Sequence, residues 1–249
     1  MPKPSSFLEL MQLVQLPIEG ESRTVRMWRG QSDASWPIHS SAYRRLAKDG
    51  TPKESDITYY EKDLLKRATH RGFRELNGRR LSDFDLLARL QHHGAATRLV
   101  DATRNVLIAL FFCASARPGK MGVLLGLHAN FLGGYESQPK EEEYDTVIKN
   151  LMKYQHPQTW EPPGVSPRIA AQHSQFLYSA VSSSKKGSSA IDSSRDSFIA
   201  IAVSPRLKRE TIKILSEIFD IRYVTLFPDI DGFGIANSHE VDRWGVYRW

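Results

Sequence analysis

Cysteine is all but missing from this 249-residue sequence, where Cys113 stands alone. An internal disulfide and a cysteine-built zinc site are therefore excluded, and a lone thiol in the most apolar segment fits a reducing compartment. Long apolar runs are missing too. The longest, Val106 to Ala114, is nine residues, under half of the roughly 20 that a spanning helix needs, so no membrane span is expected. The first thirty residues carry Glu9 and Glu19 and no basic start leading into an apolar stretch and a small-residue cleavage site; the expectation is a cytoplasmic protein without a secretory signal. No Gly-rich loop runs into Lys-Ser/Thr, and no Gly-x-Ser-x-Gly elbow occurs. Gly126 and the Gly133-Gly134 pair lack a strand-turn-helix context. Kinase, serine-hydrolase and Rossmann readings drop out. Adjacent histidines such as His92 and His93 diverge on a helix, and there is no His-Glu-x-x-His, so no metal is expected. No internal repeat is present.

What is present is an ordinary globular composition, 41% hydrophobic and 25% charged, in a length suited to one large domain. The net charge of +6 is regional. Between Glu21 and Arg80 there are 14 Lys and Arg against 8 Asp and Glu, so that stretch alone accounts for it. A local positive surface attracts phosphate, on a dinucleotide or on nucleic acid, although a solvated helix face would read the same way.

Ser6-Phe7-Leu8-Glu9 has capping-box spacing ahead of an amphipathic helix that ends at Pro17. Thr24 to Trp28 alternates like a strand and ends at Arg29-Gly30-Gln31, where glycine would allow a sharp exit. Helices are expected over Asp56 to about Phe73, Ser82 to Gly94, Thr103 to Ala114 and about Lys208 to Phe219. Strands are expected over Gly122 to His128, Phe198 to Val203 and Arg222 to Phe227. Helices cluster early and strands late, so the fold class expected is α+β, a single domain with N-terminal helices packed on a mostly antiparallel sheet. Its parts are an N-terminal helix within 1–23, a main domain over 24–235 with surface insertions at about 130–167 and 182–197, and a tail over 236–249.

Three stretches concentrate chemistry. Trp28-Arg29-Gly30-Gln31 puts a guanidinium at a strand end, suited to gripping phosphate or carboxylate, or else it is an ordinary turn with an exposed arginine. Gln91 to Thr103 packs two imidazoles, hydroxyls and charges against an apolar segment, where they must be satisfied. The bland alternative is a buried Arg98–Asp101 pair with His93 capping a helix. Pro167 to Phe176 returns from a loose segment with Arg168 and Gln172, which could hold a ligand amide or ribose, or simply tie down a loop.

In this order the stretches resemble the FRG domain, a family found in bacteria and phages and named for an aromatic-Arg-Gly motif. Trp28-Arg29-Gly30-Gln31 stands at that motif, Ser41 and Arg44 look like its Ser-x-x-Arg, and Gln91 to Thr103 looks like its Gln-His-x-Gly...Thr-Arg-Leu...Asp-x-Thr signature. Arg168, Gln172 and Phe176 resemble a later Arg...Gln-x-Gly-x-Phe element, and Leu226 to Gly232 a closing Leu-Phe-Pro-Asp-x-Asp-Gly. Trp28, Ala102 and Ser174 depart from the usual residues. The layout is similar to arginine-type ADP-ribosyltransferases, which implies an ADP-ribosyltransferase-like sheet and NAD as substrate. The implied protein is a toxin or phage-defence effector that modifies a nucleic acid or protein, with a neutralising antitoxin protein as a further partner. The resemblance implies Arg29 on the NAD phosphate, Thr97 or Thr103 supporting the ribose, and Gln172 or a late acid such as Glu240 orienting it. The catalytic set expected is Arg29, His93, Thr97, Asp101, Thr103 and Gln172. The NAD-binding set is Arg29, Gln31, Ser41, Arg44, His92 and Arg98. The late Gln/Glu-x-Glu pair of such enzymes does not occur; Glu210, Glu217 and Glu240 read as surface charges. Two other readings are a non-catalytic nucleic-acid-binding module, with Arg29, Arg44, Lys66, Arg71 and Arg74 on phosphate, and a metal-independent RNase with His92 or His93 as general base. All of the catalytic reading requires Arg29 to face a pocket floored by residues 92 to 103.

Overall fold

The computed structural model describes residues 1–15, 25–134, 143–164, 166–182, 187–191 and 197–238. The first helix, α1 (Phe7–Gln15), starts where the capping spacing requires. Ser6 Oγ accepts the Glu9 amide, but the Glu9 carboxylate turns to the amide and hydroxyl of Ser5 rather than closing the box. In chain order there follow β1 (Val25–Gln31), α2 (Ser41–Leu46), α3 (Glu54–His70), the two-residue strands β2 (Glu75–Leu76) and β3 (Arg79–Arg80), α4 (Asp83–His92), β4 (Val100–Thr103) and α5 (Val106–Ala114). The second half contains β5 (Gly122–His128), α6 (Tyr144–Leu151), β6 (Gln158–Trp160), α7 (Pro167–Ala171), β7 (Ser174–Tyr178), β8 (Phe198–Val203), α8 (Pro205–Glu217), α9 (Tyr223–Leu226) and α10 (Ile230–Ala236).

Six strands form one sheet in the order β6-β7-β4-β1-β5-β8, every neighbouring pair antiparallel. The architecture is a single mixed helix-and-sheet domain, as the pattern of apolar residues suggested. Alternation along the strands divides the core. Trp28 and Leu124 pack with Leu110, Cys113 and Leu207 under α5 and α8, while Met27, Leu125 and Leu127 pack on the opposite face. A third cluster joins α3, α4 and α6 to β6 and β7 through Phe84, Tyr144, Trp160 and Phe176. Burial of this kind stabilises by about 25 cal/mol per Å² of apolar surface. Burial also pushes the Cys113 thiol up to about 12, which leaves it an unreactive packing residue.

Three expected elements are corrected. The span expected as one helix from Thr103 divides: Val100 to Thr103 is strand β4, and α5 starts after Asn105, whose side chain caps it by accepting the Leu107 amide. Arg222 to Phe227, expected as a strand for its aromatic and β-branched residues, contains the one-turn helix α9, held by Thr225 Oγ1, which donates to the Asp220 carbonyl and accepts the Arg222 amide. The segment 130–167 is not merely a surface loop. It holds α6 and β6, with Tyr144, Val147, Leu151 and Trp160 buried. Much of 182–197 falls outside the described residues, yet Ser188, Ile191 and Ser197 are buried.

Gly30 does not serve a sharp exit. Strand β1 runs through it to Gln31. A Cβ at this position would lie 1.8 Å from the Ala109 carbonyl oxygen and 2.7 Å from the Cys113 amide nitrogen, so glycine is what lets α5 rest directly on β1.

Candidate functional site

The site begins where two central strands part. β1 and β4 pair at a single position, Trp28 opposite Thr103. Beyond it β1 continues beside β5 through Gln31, while the backbone of β4 pairs with β7. A cavity of about 380 Å³ opens at the divergence. Its polar lining comes from β1 (Arg29, Gln31), the end of α4 (Gln91, His92), β4 (Asp101, Thr103) and the α7 region (Arg168, Gln172). Its apolar lining includes Trp28, Trp36, Phe112, Phe176 and Phe227. A few convergent polar groups in an aromatic-lined cleft are the usual make-up of a ligand site.

Two arginines line it, Arg168 paired with Asp229 and Arg29 facing it from β1. Arg29 Nη1 donates to the Asp101 main-chain carbonyl at 2.5 Å and Nε to Gln31 Oε1 at 3.3 Å. No carboxylate forms an ion pair with it among the described residues. Burial pulls the guanidinium below its ordinary value and Arg44 adds to this, with the Asp101 charge opposing. The group stays charged at any physiological pH. A half-buried cation without a paired acid favours an incoming anion.

The neighbouring acid, Asp101, is exposed on β4 and held by an oriented amide. Gln91 Nε2 donates to Asp101 Oδ1 at 2.7 Å, while Gln91 Oε1 accepts the Thr97 hydroxyl. Thr97 is fully buried, and Ser41 both accepts its amide and donates to its carbonyl. Thr97 and Ser41 therefore act behind the lining, by fixing which way the Gln91 amide points. Thr103 Oγ1 donates to the Gln172 carbonyl and accepts the Asn105 amide, and Gln172 Nε2 donates to the Leu226 carbonyl. These bonds fasten α7 and α9 against the end of β4.

A second polar group closes one side. Arg168 makes a two-point pair with Asp229, Nη2 at 2.6 Å from Oδ1 and Nε at 2.5 Å from Oδ2, and lies over the Phe227 ring. Asp229 also caps α10 through the Gly232 amide. The Arg168 hydrogen bond is the main cause holding its carboxyl down at about 2. His92 lies between Asp229 Oδ2, 3.2 Å from Nε2, and Ser166 Oγ, 3.3 Å from Nδ1. Burial, then Arg168 and His93, lower its affinity for a proton, against the pull of Asp229.

The sequence-expected residues thus divide. Arg29, Gln31, His92, Asp101, Thr103 and Gln172 line one cavity, and of the floor expected over residues 92 to 103 its lining holds His92 and Asp101 to Thr103. His93, Ser41, Arg44, Thr97 and Arg98 do not line it. His93 caps α4, is mostly exposed, and approaches Asp231 at 3.8 Å. Arg44 donates to the His39 carbonyl. Arg98 is buried and turned to Glu61, Glu54 and Tyr144; its partner is not Asp101. Burial opposes its charge, but Glu61, Tyr144 and Glu54 more than offset this and raise the guanidinium above its ordinary value. That network ties α3 and α6 to the bend leading into β4. Glu240 lies outside the described residues.

Sequence reasoning gave no role to Gln91, Trp36, Phe112 or Phe227, nor to Lys208. The Lys208 amine, almost wholly buried, donates to the carbonyls of Ser32 at 2.6 Å and of Ala116 and Arg117 at 3.1 Å. It thereby joins the segment after β1, where Ser32 lines the cavity, to the segment after α5. The departure at Ser174 has a local explanation, since the left-handed residue of the α7–β7 turn is His173, at φ 45°. Position 174 is in strand β7 and has no need of glycine.

No curated protein and no solved structure matches the chain. The stretches around Arg168 and Asp229 lie beyond the segment that a family model covers. Residues 25–120, which contain Arg29, Gln91 and Asp101, match the model of the FRG domain, and this match supports the FRG family.

Proposed function

We propose that the cavity binds NAD through Arg29 and transfers its ADP-ribose to a nucleic acid or protein. The observation that carries this reading is the Arg29 guanidinium, half-buried and without a carboxylate partner among the described residues, in a cavity that also presents one acid and several aromatic faces. Its planar fork suits the pyrophosphate. The nicotinamide ring carries a positive charge and a good leaving nitrogen. Cleavage breaks the bond between ribose C1′ and that nitrogen, the electron pair passing to the ring, which leaves neutral. C1′ gains cationic character in an oxocarbenium-like transition state. The Asp101 carboxylate, pointed by Gln91, supplies the opposing charge. An acceptor oxygen or nitrogen then bonds to C1′ and gives up its proton to Asp101 or water. Catalysis is by positioning and electrostatics.

The hydrolytic alternative is supported less well. His92 has both ring nitrogens engaged, by Asp229 and Ser166. The nucleic-acid-binding alternative loses Arg74, whose guanidinium is paired with Asp83. The test is nicotinamide release from NAD by the purified chain, alone and with RNA, DNA or protein acceptors. Release that Arg29→Ala lowers by about 10²-fold or more fits the loss of a charged transition-state contact; no release and no labelled macromolecule under any condition rejects the reading.

A further inference from the structure

We propose that Trp36 and Arg117 form an adenosine-phosphate subsite at the rim of the cavity, the place of the adenine half of the dinucleotide. This rests on the NAD reading for the ligand's identity, but it stands on separate residues. Trp36 is 44% exposed and lines the same cavity as Arg29. A bare indole at the mouth of a polar cleft is a stacking surface for a planar base.

The indole is held in place rather than loosely displayed. Its backbone amide donates to the Asp33 carbonyl and its carbonyl accepts Gln31 Nε2 at 3.0 Å. The Asp33 carboxylate accepts both the amide and hydroxyl of Ser35, closing the turn from within. The Arg117 guanidinium lies over the indole at 4.8 Å from its centre, with Asp33 at 3.8 Å, which leaves the opposite ring face for a ligand. Arg117 adopts a left-handed backbone, φ 48°, without being glycine; strain of this order persists where the surroundings impose it. Lys208 is that constraint, since its one ammonium binds the carbonyls of Ser32 and Arg117 together.

Gln31 connects the two halves. Its Oε1 accepts from Arg29 Nε while its Nε2 donates to the Trp36 carbonyl, so the phosphate-binding cation and the stacking ring hang from one oriented amide. A phosphate on Arg29 therefore has a base-stacking face next along the wall, in the order phosphate then base that an adenosine phosphate presents. Arg117, over the indole, adds positive charge beside the stacked base, and the stacking is worth roughly a tenfold change in affinity.

The experiment is calorimetric titration of the full chain with AMP, nicotinamide mononucleotide and NAD, repeated for Trp36→Ala, Trp36→Phe and Arg117→Ala. The expected result is that Trp36→Ala weakens AMP and NAD roughly tenfold, leaves nicotinamide mononucleotide unchanged, and is largely restored by Trp36→Phe, with Arg117→Ala weakening AMP and NAD independently. If NAD binds and neither Trp36→Ala nor Arg117→Ala alters its affinity, the subsite is overturned. It is likewise overturned if the only ligand that Trp36→Ala weakens is an acceptor oligonucleotide. If AMP binds through Trp36 but NAD is neither bound nor cleaved, the subsite stands and the NAD reading fails. Binding of neither AMP nor NAD by the unaltered chain rejects both.

Discussion

Arg29 on β1 donates to the main-chain carbonyl of Asp101 on β4 across the point where the two strands stop pairing. A side chain here spans a gap that a backbone ladder would otherwise close, and the cavity exists because it does not close. The arrangement also separates two groups of one residue, with the Asp101 carbonyl anchoring the cation and its carboxylate held by the Gln91 amide in the cavity lining.

That separation predicts the behaviour of Asp101→Asn. The carbonyl and Arg29 stay in place, so NAD binding should change less than threefold while nicotinamide release falls by about 10²-fold or more. Binding by calorimetry and release by chromatography measure the two independently. Loss of both in equal proportion would mean that the carboxylate contributes to ground-state binding alone.

Gly30→Ala should destabilise the fold by about 3 kcal/mol or more, because the added methyl meets backbone of α5 rather than a side chain that can move. Urea unfolding followed by circular dichroism reads this directly. A change under 1 kcal/mol would show that α5 shifts freely on β1.

Removing Arg98 leaves Glu61, fully buried, with an uncompensated charge. Arg98→Met should cost about 3–5 kcal/mol, and the double variant with Glu61→Leu should recover part of that loss. Equal destabilisation by single and double variants would deny that the two charges are coupled.

His92 takes up its proton below the ordinary histidine value of 6.5. As pH falls through 6.5 the unfolded chain therefore binds protons first, and stability should decline on acidification from neutral. Asp229 adds a second loss at lower pH, between its ordinary 3.8 and about 2. Nitrogen NMR should show His92 neutral at pH 7, with its proton on Nε2 facing Asp229 and Nδ1 accepting from Ser166. Titration above 6.5 would contradict the burial argument.

The parts of the fold readable from the sequence are those in which one local rule suffices. The strand expected over Thr24 to Trp28, which the structure carries on to Gln31, and those over Gly122 to His128 and Phe198 to Val203 contain β-forming residues, and Ser82 with Asp85 marks the start of α4, where the Ser82 hydroxyl accepts the Asp85 amide. The parts that were not readable depend on distant partners. β4 is four residues long and merges into an apolar helix, so only its pairing with Ser174 to Leu177 reveals it as a strand. β6 buries Gln158 and Thr159, polar residues that look like loop until Thr159 Oγ1 is seen donating to Gln175 Oε1 across the sheet. At the site, Arg29 and Asp101 were legible as chemistry because their residue types are distinctive beside apolar runs. Arg98 was misplaced as a ligand contact because its partners Glu61 and Glu54 lie some forty residues back on α3 and nothing local announces them. Trp36 gives no signal, since an aromatic in a loop looks the same whether it lines a cavity or covers a core.

The most direct test is the affinity of the unaltered chain and of Arg29→Ala for NAD, measured by titration calorimetry together with the thermal stability of both proteins. The cavity around an unpaired guanidinium predicts binding by the unaltered chain, stabilisation by NAD, and a loss of at least tenfold in Arg29→Ala with the fold retained. Equal NAD affinity in the two proteins, or none in either, would contradict it.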